Sequence, residues 1–187
     1  MGAIKYSDQR VGVLVDVQNM YHSAKSLYGA RANFLEILKT ATAGRQLIRA
    51  IAYASRADTE EEQGFFEAME KAGFEMKTKE LQVFSGGMKK GNWDVDIALD
   101  AIRLSHRLDV IVLVAGAGDF VPLVDYLKNT HGVKTEVIAF GKSASGKLRE
   151  AADDFIDLSQ NYSKYLIRPR KFVRPTSERP IKRGFQN

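Results

Sequence analysis

The stretch RVGVLVDV, residues 10–17, decides the fold of this chain. Valine-rich apolar residues run through it almost without interruption, which is typical of a strand buried on both faces of a parallel sheet. A helical pattern follows directly, at about residues 18–28. Because such a strand needs helices on both sides of its sheet, this stretch predicts an α/β fold.

The same alternation of strand and helix continues along the chain. Further strands are predicted at residues 46–55, 74–81, 108–116 and 133–141, and helices at about 33–43, 58–73, 93–106, 119–132 and 145–153. The segment 58–73 has the clearest helix pattern, since an acidic first turn opens it and a glycine closes it. The sequence therefore predicts a parallel sheet of about five strands with helices on both faces, and the alternation in 74–81 favours an edge strand.

The composition excludes several classes of protein. With 187 residues and 44% apolar content, the chain can form one domain with a sizeable core, and it has no cysteine for disulfides or thiolate metal sites. No apolar run approaches the ~18 residues that cross a bilayer, and the N-terminus lacks a signal-peptide pattern. We therefore expect a cytoplasmic protein without a membrane partner. His22, His106 and His131 lack the spacing of metal ligands and are expected at the surface or in packing contacts.

The net charge of +5 is concentrated at the C-terminus. Residues 161–187 hold eight Lys or Arg and one Glu, a net charge of +7, which leaves −2 for residues 1–160. The segment has too few apolar residues to build its own core, so we divide the chain into a domain at 1–160 and a basic tail at 161–187. A solubilising tail and a nucleic-acid-binding tail explain this pattern about equally well. Aromatic residues among the cations, such as Tyr165, slightly favour the second.

Three aspartates are predicted near the carboxyl ends of neighbouring strands. Asp16 ends the first strand, Asp119 follows the fourth, and Asp94 opens the helix at 93–106. Helix capping explains each of them singly. Taken together at the switch point of a parallel sheet, the three carboxylates repel one another unless a cation lies between them. Oxygen ligands without Cys or His favour Mg²⁺ or Mn²⁺, and such a site suits phosphodiester hydrolysis.

The helix that Asp94 opens lies in KKGNWDVDIALDAIRLSHR, residues 89–107. On a helical wheel, Val95 and Leu99 belong to a broad apolar face with Asp94 in its middle. A carboxylate aimed at a core is costly unless a partner stabilises it, so Asp94 is predicted to meet one. Asp100 lies on the opposite, polar stripe, where surface ion pairs explain it.

Four segments resemble, in the same order, the motifs of NYN domains, in the LabA-like branch of the PIN-like nuclease superfamily. They are VGVLVDVQNMY (11–21), KKGNWDVDIALDAI (89–102), VLVAGAGDFVPLVDYLK (112–128) and GKSASGKLREAADDFIDL (141–158). The resemblance covers roughly residues 10–160 and implies a Rossmann-like sheet, an acidic metal site and ribonuclease activity. By matching motifs, it assigns the following residues to that site: Asp16, Asn19, Asp94, Asp100 and Asp119.

The chain departs from the family pattern after the fourth strand. That motif usually reads Ser-Gly-Asp-Gly-Asp-Phe, and here Ala115 replaces the serine and Ala117 replaces the first aspartate. With one acid fewer at the site, we expect the metal ion to bind loosely and RNA to be cut slowly.

Four lysines beside the predicted site are candidates for RNA contacts. Lys89 and Lys90 lie in a glycine-rich loop, although a solvated loop explains them equally well. Lys142 and Lys147 follow the fifth strand, where they can meet RNA phosphates. Their segment, residues 141–148, is similar to a P-loop but lacks the Ser or Thr that holds Mg²⁺, so a nucleoside-triphosphate site is not expected.

These residues predict a metal-dependent endoribonuclease. Asp16, Asp94 and Asp119 hold the ion, Asn19 orients the scissile phosphate or a water, and the lysines and the tail hold RNA. Asp100 joins the metal ligands only through the resemblance. An RNA-binding or regulatory protein on the same fold is the alternative, and a phosphatase or nucleotide-binding enzyme with the same carboxylates is a third. The sequence leaves a homodimer open.

Overall fold

A central parallel sheet organises the chain. In a computed structural model, the structure describes residues 4–56, 60–80, 82–83, 89–90 and 92–167. The strands are β1 (Arg10–Asp16), β2 (Arg31–Ala32), β3 (Gln46–Arg56), β4 (Glu75–Glu80), β5 (Gln82–Val83), β6 (Lys89–Lys90), β7 (Val110–Val114), β8 (Lys134–Ala139), β9 (Asp154–Asp157) and β10 (Leu166–Ile167). The helices are α1 (Val17–Tyr28), α2 (Phe34–Thr42), α3 (Glu60–Lys71), α4 (Asp94–Ser105), α5 (Val121–Tyr126) and α6 (Gly146–Ala151). Short 3-10 segments at Gly118–Phe120 and Leu158–Tyr165 and a π-helical turn at Leu127–His131 connect them.

The six strands of this sheet follow the order β4-β3-β1-β7-β8-β9 and all pair in parallel. The predicted α/β fold is thus confirmed, with β4 at one edge. The sheet has one strand more than expected, because the short piece at residues 154–157 pairs with β8 as β9. The chain runs from β1 to β3 on one side and reaches β7 on the other, so the carboxyl ends of β1 and β7 form the switch point.

Two apolar layers cover the faces of the sheet. Val11, Val13 and Val15 of β1 pack in the layer that contains α1, α2 and α3. Leu14 packs on the other face, in the layer that contains α4, α5 and α6. Burial of both faces explains why β1 reads as a continuous apolar run. No helix in the described part of the chain is long and apolar enough to span a membrane.

The folded chain continues past residue 160, where the sequence analysis divided domain from tail. The segment Leu158–Tyr165 is followed by β10, which pairs antiparallel with β2. Tyr165, considered above as a stacking residue, is buried, and its hydroxyl lies 3.2 Å from the Thr40 hydroxyl. Tyr165 therefore belongs to the core. Residues 168–187 of the tail lie outside the described part.

A buried ion pair joins the start of β8 to the end of α2. The Arg45 guanidinium donates to both carboxylate oxygens of Glu136, at 2.9 and 2.8 Å. Lys5 and Lys134 approach the same carboxylate. Burial alone would raise the pKa of Glu136, but the hydrogen bonds from Arg45 and the nearby positive charges outweigh it and lower that pKa.

Candidate functional site

Asp16 lies at the carboxyl end of β1, where the strand passes directly into α1. Its carboxylate accepts a hydrogen bond from the Asn19 backbone N–H at 2.9 Å and caps the helix. The residue is only 8% exposed. Burial raises the pKa of the Asp16 carboxyl, the cap hydrogen bonds lower it in part, and the negative charge of Asp94 raises it further. Asp16 is therefore a helix cap and also one member of a pair of carboxylates.

Asp94 is the second carboxylate of that pair. It begins α4, and its backbone N–H donates to the Asn92 side chain at 2.7 Å, so Asn92 satisfies an amide at this helix end. The half-buried Asp94 lies within electrostatic reach of Asp16. The helical wheel predicted a partner that stabilises Asp94. The charged neighbour found here, Asp16, has the same charge as Asp94. Two like charges lie near each other here, and a cation between them would stabilise both.

Asp119 belongs to the 3-10 turn Gly118–Phe120 that follows β7, and its side chain is exposed. Nowhere in the described ranges do three His, Cys, Asp or Glu side chains come together as a group that could hold a metal ion. The cluster of three carboxylates expected from the sequence is therefore not found among the described residues. Asp94 acts on the pKa of Asp16, whereas Asp119 is exposed on the turn after β7.

The pair fits a hard divalent cation. Mg²⁺ keeps several of its waters and is commonly held by one or two carboxylates together with substrate phosphates. Two carboxylates, one of them with a raised pKa caused by burial and by its neighbour, supply that donor set. Asp16 and Asp94 are the residues that would hold Mg²⁺ or Mn²⁺.

Asn19 ties α1 to the end of β7. Its side-chain oxygen accepts the Gly116 backbone N–H at 2.9 Å. Gly116 also permits the close approach of the turn at Ala144, because a Cβ on residue 116 would lie 3.2 Å from the Ala144 Cα. The oxygen of Asn19 is thereby used in holding the switch point together, and its two amide N–H donors are the groups that remain for a ligand.

Asp100 anchors α4 to the sheet. It is 7% exposed and accepts hydrogen bonds from the Tyr53 hydroxyl at 2.7 Å and the Lys77 ammonium at 2.6 Å. Tyr53 is in register with Asp16 on β1 and with Lys77 on β4. Asp100 therefore binds the same row of the sheet that ends in Asp16. The resemblance assigned Asp100 to the metal site. In the structure Asp100 pairs with Lys77 and is not part of the pair formed by Asp16 and Asp94.

The surface position predicted for Asp100 is wrong, because the wheel misplaced the buried face of α4. The helix packs through Trp93, Ile97 and Ala101, and it leaves Val95 and Leu99 exposed by 70% and 47%. Asp100 lies at the border of this packed face, where the sheet offers it two donors. The wheel ranked side chains by hydropathy alone and had no means of including those donors.

The lysines proposed for RNA binding lie on two separate segments of the chain. Lys89 and Lys90 form β6, which pairs antiparallel with β5, so a strand takes the place of the expected loop, and their side chains lie outside the described part. Lys142 and Lys147 are exposed in and after the turn that leads from β8 to α6.

His22 is a neighbour of the acidic pair that the sequence analysis assigned to the surface or to packing. It is exposed on α1, one and a half turns beyond the Asp16 cap, and its charge lowers the pKa of Asp16. Its ring meets that of Tyr21 edge to face, with centroids 5.6 Å apart. The signal that would have found it is its place in the first turns of the helix that Asp16 caps.

Comparisons with known proteins identify the family and agree with the fold. The NYN domain family matches residues 10–159. Low amplitude and bright protein LabA of Synechococcus elongatus is 27% identical over 187 residues, covering 90% of this chain and 95% of that protein. The crystal structure of a protein of unknown function from Vibrio parahaemolyticus superimposes with a TM-score of 0.79 at 28% identity, covering 88% of this chain and 100% of the other. The resemblance recognised in the four motifs is confirmed.

Proposed function

The chain belongs to the NYN domain family, of the PIN-like nuclease type, and from this premise we propose that it is a metal-dependent endoribonuclease. One observation carries the proposal: Asp16 and Asp94, from distant parts of the chain, lie within electrostatic reach at the switch point of the sheet. NYN domains commonly bind RNA, so a phosphodiester of RNA is the substrate class that the family and the carboxylates have in common.

Each residue of the site has a defined task in this proposal. Asp16 and Asp94 bind the ion, which when bound activates water and neutralises the charge that builds on the phosphate. Asn19 donates an amide N–H to a phosphate oxygen while its own oxygen stays on Gly116. Asp119, exposed on the turn after β7, accepts hydrogen bonds from water at the rim of the site.

The RNA backbone is held by cations around this edge. Lys89, Lys90, Lys142, Lys147 and the basic tail attract phosphates without reading sequence, so binding is expected to weaken steeply as salt increases.

The test compares single-stranded RNA, single-stranded DNA and a small phosphomonoester as substrates, each with Mn²⁺, with Mg²⁺ or with excess EDTA. We expect RNA cleavage with either ion and none in EDTA. Asp16→Asn and Asp94→Asn lose this cleavage, whereas Asp109→Asn, a control just before β7 at the opposite end of the sheet, retains it. Undiminished cutting in EDTA would rule out the metal mechanism, and preference for the phosphomonoester would favour a phosphatase.

A second candidate function follows from the number of carboxylates. Only a pair converges in the described residues, and Ala117 stands where the family motif has an aspartate. A protein with this site can bind RNA and regulate it with little or no catalysis. Tight RNA binding without cleavage at any Mn²⁺ or Mg²⁺ concentration would select this function over the first.

A further inference from the structure

A cleft lies beyond the carboxyl ends of β8 and β9, on the same edge of the sheet as the acidic pair. Its volume is about 390 Å³, and it is lined by Gly141, Lys142, Arg149, Asp157, Ser159 and Gln160. Ligand pockets generally measure roughly 300–1,000 Å³. The cleft is shallow and open to solvent, and its volume corresponds to about one nucleotide.

Hydrogen bonds fix the walls of this cleft. One oxygen of Asp157 accepts the backbone N–H groups of Gly141 and Ser159, at 2.7 and 2.8 Å. The Arg149 guanidinium donates to the Gly141 carbonyl at 2.9 Å and lies 4.6 Å from the centroid of the Phe155 ring. A Cβ at position 141 would overlap the Asp157 carboxylate, so glycine there leaves room for this hydrogen-bonded carboxylate. The cleft exists before any ligand arrives.

The charges of the cleft favour an anion. Lys142 and Arg149 bring two positive charges, against one negative charge from Asp157, whose carboxylate already accepts hydrogen bonds from the cleft wall. Arginine and lysine are the usual partners of a phosphate, and hydroxyl and amide side chains such as those of Ser159 and Gln160 add contacts to phosphate and sugar.

The cleft is connected by hydrogen bonds to the elements around the acidic pair. Its turn is joined to α1 by the Ser143 hydroxyl, 2.9 Å from the Ser23 hydroxyl, and to the end of β7 by the Ser145 N–H, 2.9 Å from the Gly116 carbonyl oxygen. Gly116 is also the residue that Asn19 binds. A strand of RNA at Asp16 therefore meets the cleft when it runs along this edge toward β9.

We propose that the cleft is a nucleotide subsite, in which Lys142 and Arg149 hold one phosphate of an RNA strand away from the point of cleavage. The subsite rests on the proposed function, because RNA is its ligand. It also specifies the path of the RNA strand, which crosses the carboxyl ends of β7, β8 and β9.

The test measures binding of a labelled single-stranded RNA by fluorescence anisotropy in EDTA, where no cleavage occurs, over a range of salt concentrations. Lys142→Gln and Arg149→Gln should each weaken binding several-fold. Each should also make the slope of log K against log salt shallower, and the double variant should bring this change to about 0.7, the value for one neutralised phosphate of a single strand. Arg107→Gln removes one exposed charge just before β7, at the opposite end, and should leave affinity and slope unchanged. Arg149→Lys, which keeps the charge, should retain more affinity than Arg149→Gln.

Competition by free AMP in the same assay distinguishes a site for an RNA strand from a site for a free nucleotide. A subsite for a strand should release bound RNA only at millimolar AMP, since binding through one phosphate is weak by itself. Competition at micromolar AMP would overturn the proposal in favour of a free-nucleotide site. Equal affinities for wild type and Lys142→Gln would also overturn the subsite, and metal-dependent cleavage by the wild type would then leave the proposed function standing. If RNA binding depends on Lys142 and Arg149 but the wild type does not cleave RNA with Mn²⁺, the subsite stands and only the nuclease function is overturned.

Discussion

Asp16 has two tasks that oppose each other when no cation is present. As the cap of α1 it must stay at the buried end of β1, and as a neighbour of Asp94 it suffers repulsion there. The raised pKa of Asp16 records this conflict, which burial causes first and Asp94 increases. A divalent ion would relieve the repulsion without disturbing the cap.

Asp16→Asn should separate the two tasks. Asparagine caps a helix as well as aspartate does, so the variant keeps the hydrogen bond to Asn19 and loses the charge. Because the pKa of Asp16 is raised in the folded protein, its ionisation destabilises the fold above that pKa and has no effect below the unfolded value of about 4. In EDTA, the variant should melt higher than wild type at pH 7, and the difference should vanish as the pH falls below about 4.

Thermal unfolding of both proteins across this pH range provides the measurement, and Mn²⁺ should raise the melting temperature of wild type more than that of Asp16→Asn. Each kcal/mol corresponds to about 2–4 °C for a chain of this size. A variant that melts lower than wild type at pH 7 in EDTA would show that Asp16 is not repelled.

Ala117→Asp tests whether the missing acid can be restored. Ala117 is partly buried against the apolar layer on the α4 side, the face on which Leu14 of β1 lies. A carboxylate there should increase Mn²⁺ affinity and cleavage rate together and should destabilise the metal-free protein through repulsion from Asp16 and Asp94. Calorimetric Mn²⁺ titration and RNA turnover give the readout.

Ala152→Asp, in the same layer but before β9, is the matched control and should only lose stability. Lost stability without tighter metal binding would mean that position 117 does not reach the ion.

At the scale of the elements, the position of Asp94 depends on how α4 is fixed to the sheet. Asp100 holds the helix by two hydrogen bonds one and a half turns further on, so we expect it to position Asp94 without touching the ion. Asp100→Ala should destabilise the protein by about 1–3 kcal/mol for a buried donor left without a partner. It should also weaken Mn²⁺ binding.

Tyr53→Phe separates an anchor from a ligand, because it removes one hydrogen bond from Asp100 and leaves the carboxylate in place. If Asp100 anchors the helix, Tyr53→Phe also weakens Mn²⁺ binding in calorimetry. Asp96→Asn, the control on the same helix, breaks only a partly exposed ion pair with Lys79 and should change stability and Mn²⁺ affinity less than Tyr53→Phe does. Unchanged Mn²⁺ affinity in Tyr53→Phe would instead make Asp100 a direct ligand of the ion.

The order of the elements could be predicted from the sequence, but the positions of some site residues could not. The order of strands and helices was predictable, because buried parallel strands such as β1 read as continuous apolar runs. Asp16 and Asp94 were expected to lie near each other together with Asp119, since strand ends and helix starts meet at the switch point. The burial of Asp100 was not predictable, because it depends on Tyr53 and Lys77, which lie 47 and 23 residues away along the chain. The exposure of Asp119 depends on the backbone of the short turn Gly118–Phe120, which hydrophobic periodicity does not predict.

For the molecule as a whole, the buried pair of Arg45 and Glu136 links acid resistance to the fold. Glu136→Gln leaves the charge of Arg45 buried without its partner, which typically costs about 3–5 kcal/mol. The pKa of Glu136 is lowered in the folded state, so its stabilisation is complete above the unfolded value of about 4.3 and is lost as the pH falls through the folded pKa.

Urea unfolding of wild type and Glu136→Gln from pH 7 to pH 3 measures this contribution, and the two curves should converge in acid. The control is Asp109→Asn, which breaks the exposed ion pair with Arg10 and should lose much less stability at pH 7. Equal losses of stability in the two variants would show that the buried pair of Arg45 and Glu136 stabilises the protein no more than the exposed pair of Arg10 and Asp109.

The end of β10 at Ile167 gives a position after which the basic tail can be deleted. Residues 168–187 carry seven Lys or Arg and one Glu. Their deletion should leave the melting temperature unchanged, weaken RNA binding, and make its salt dependence shallower. Deletion from residue 164 also removes the buried Tyr165 and Leu166 and should lower the melting temperature. Identical salt slopes for the full chain and the shorter deletion would mean that the tail does not touch RNA.

The two edges of the sheet have a consequence for the behaviour of the protein at high concentration. An unpaired edge strand is a template on which a strand from another molecule can add, and charged or very short edges prevent this. On β4, Lys77 and Lys79 form ion pairs with α4, and β9 is only four residues long and begins and ends with aspartate. Strand addition from a second molecule is thus disfavoured at both edges, and the same charges that fix α4 also oppose fibrous aggregation.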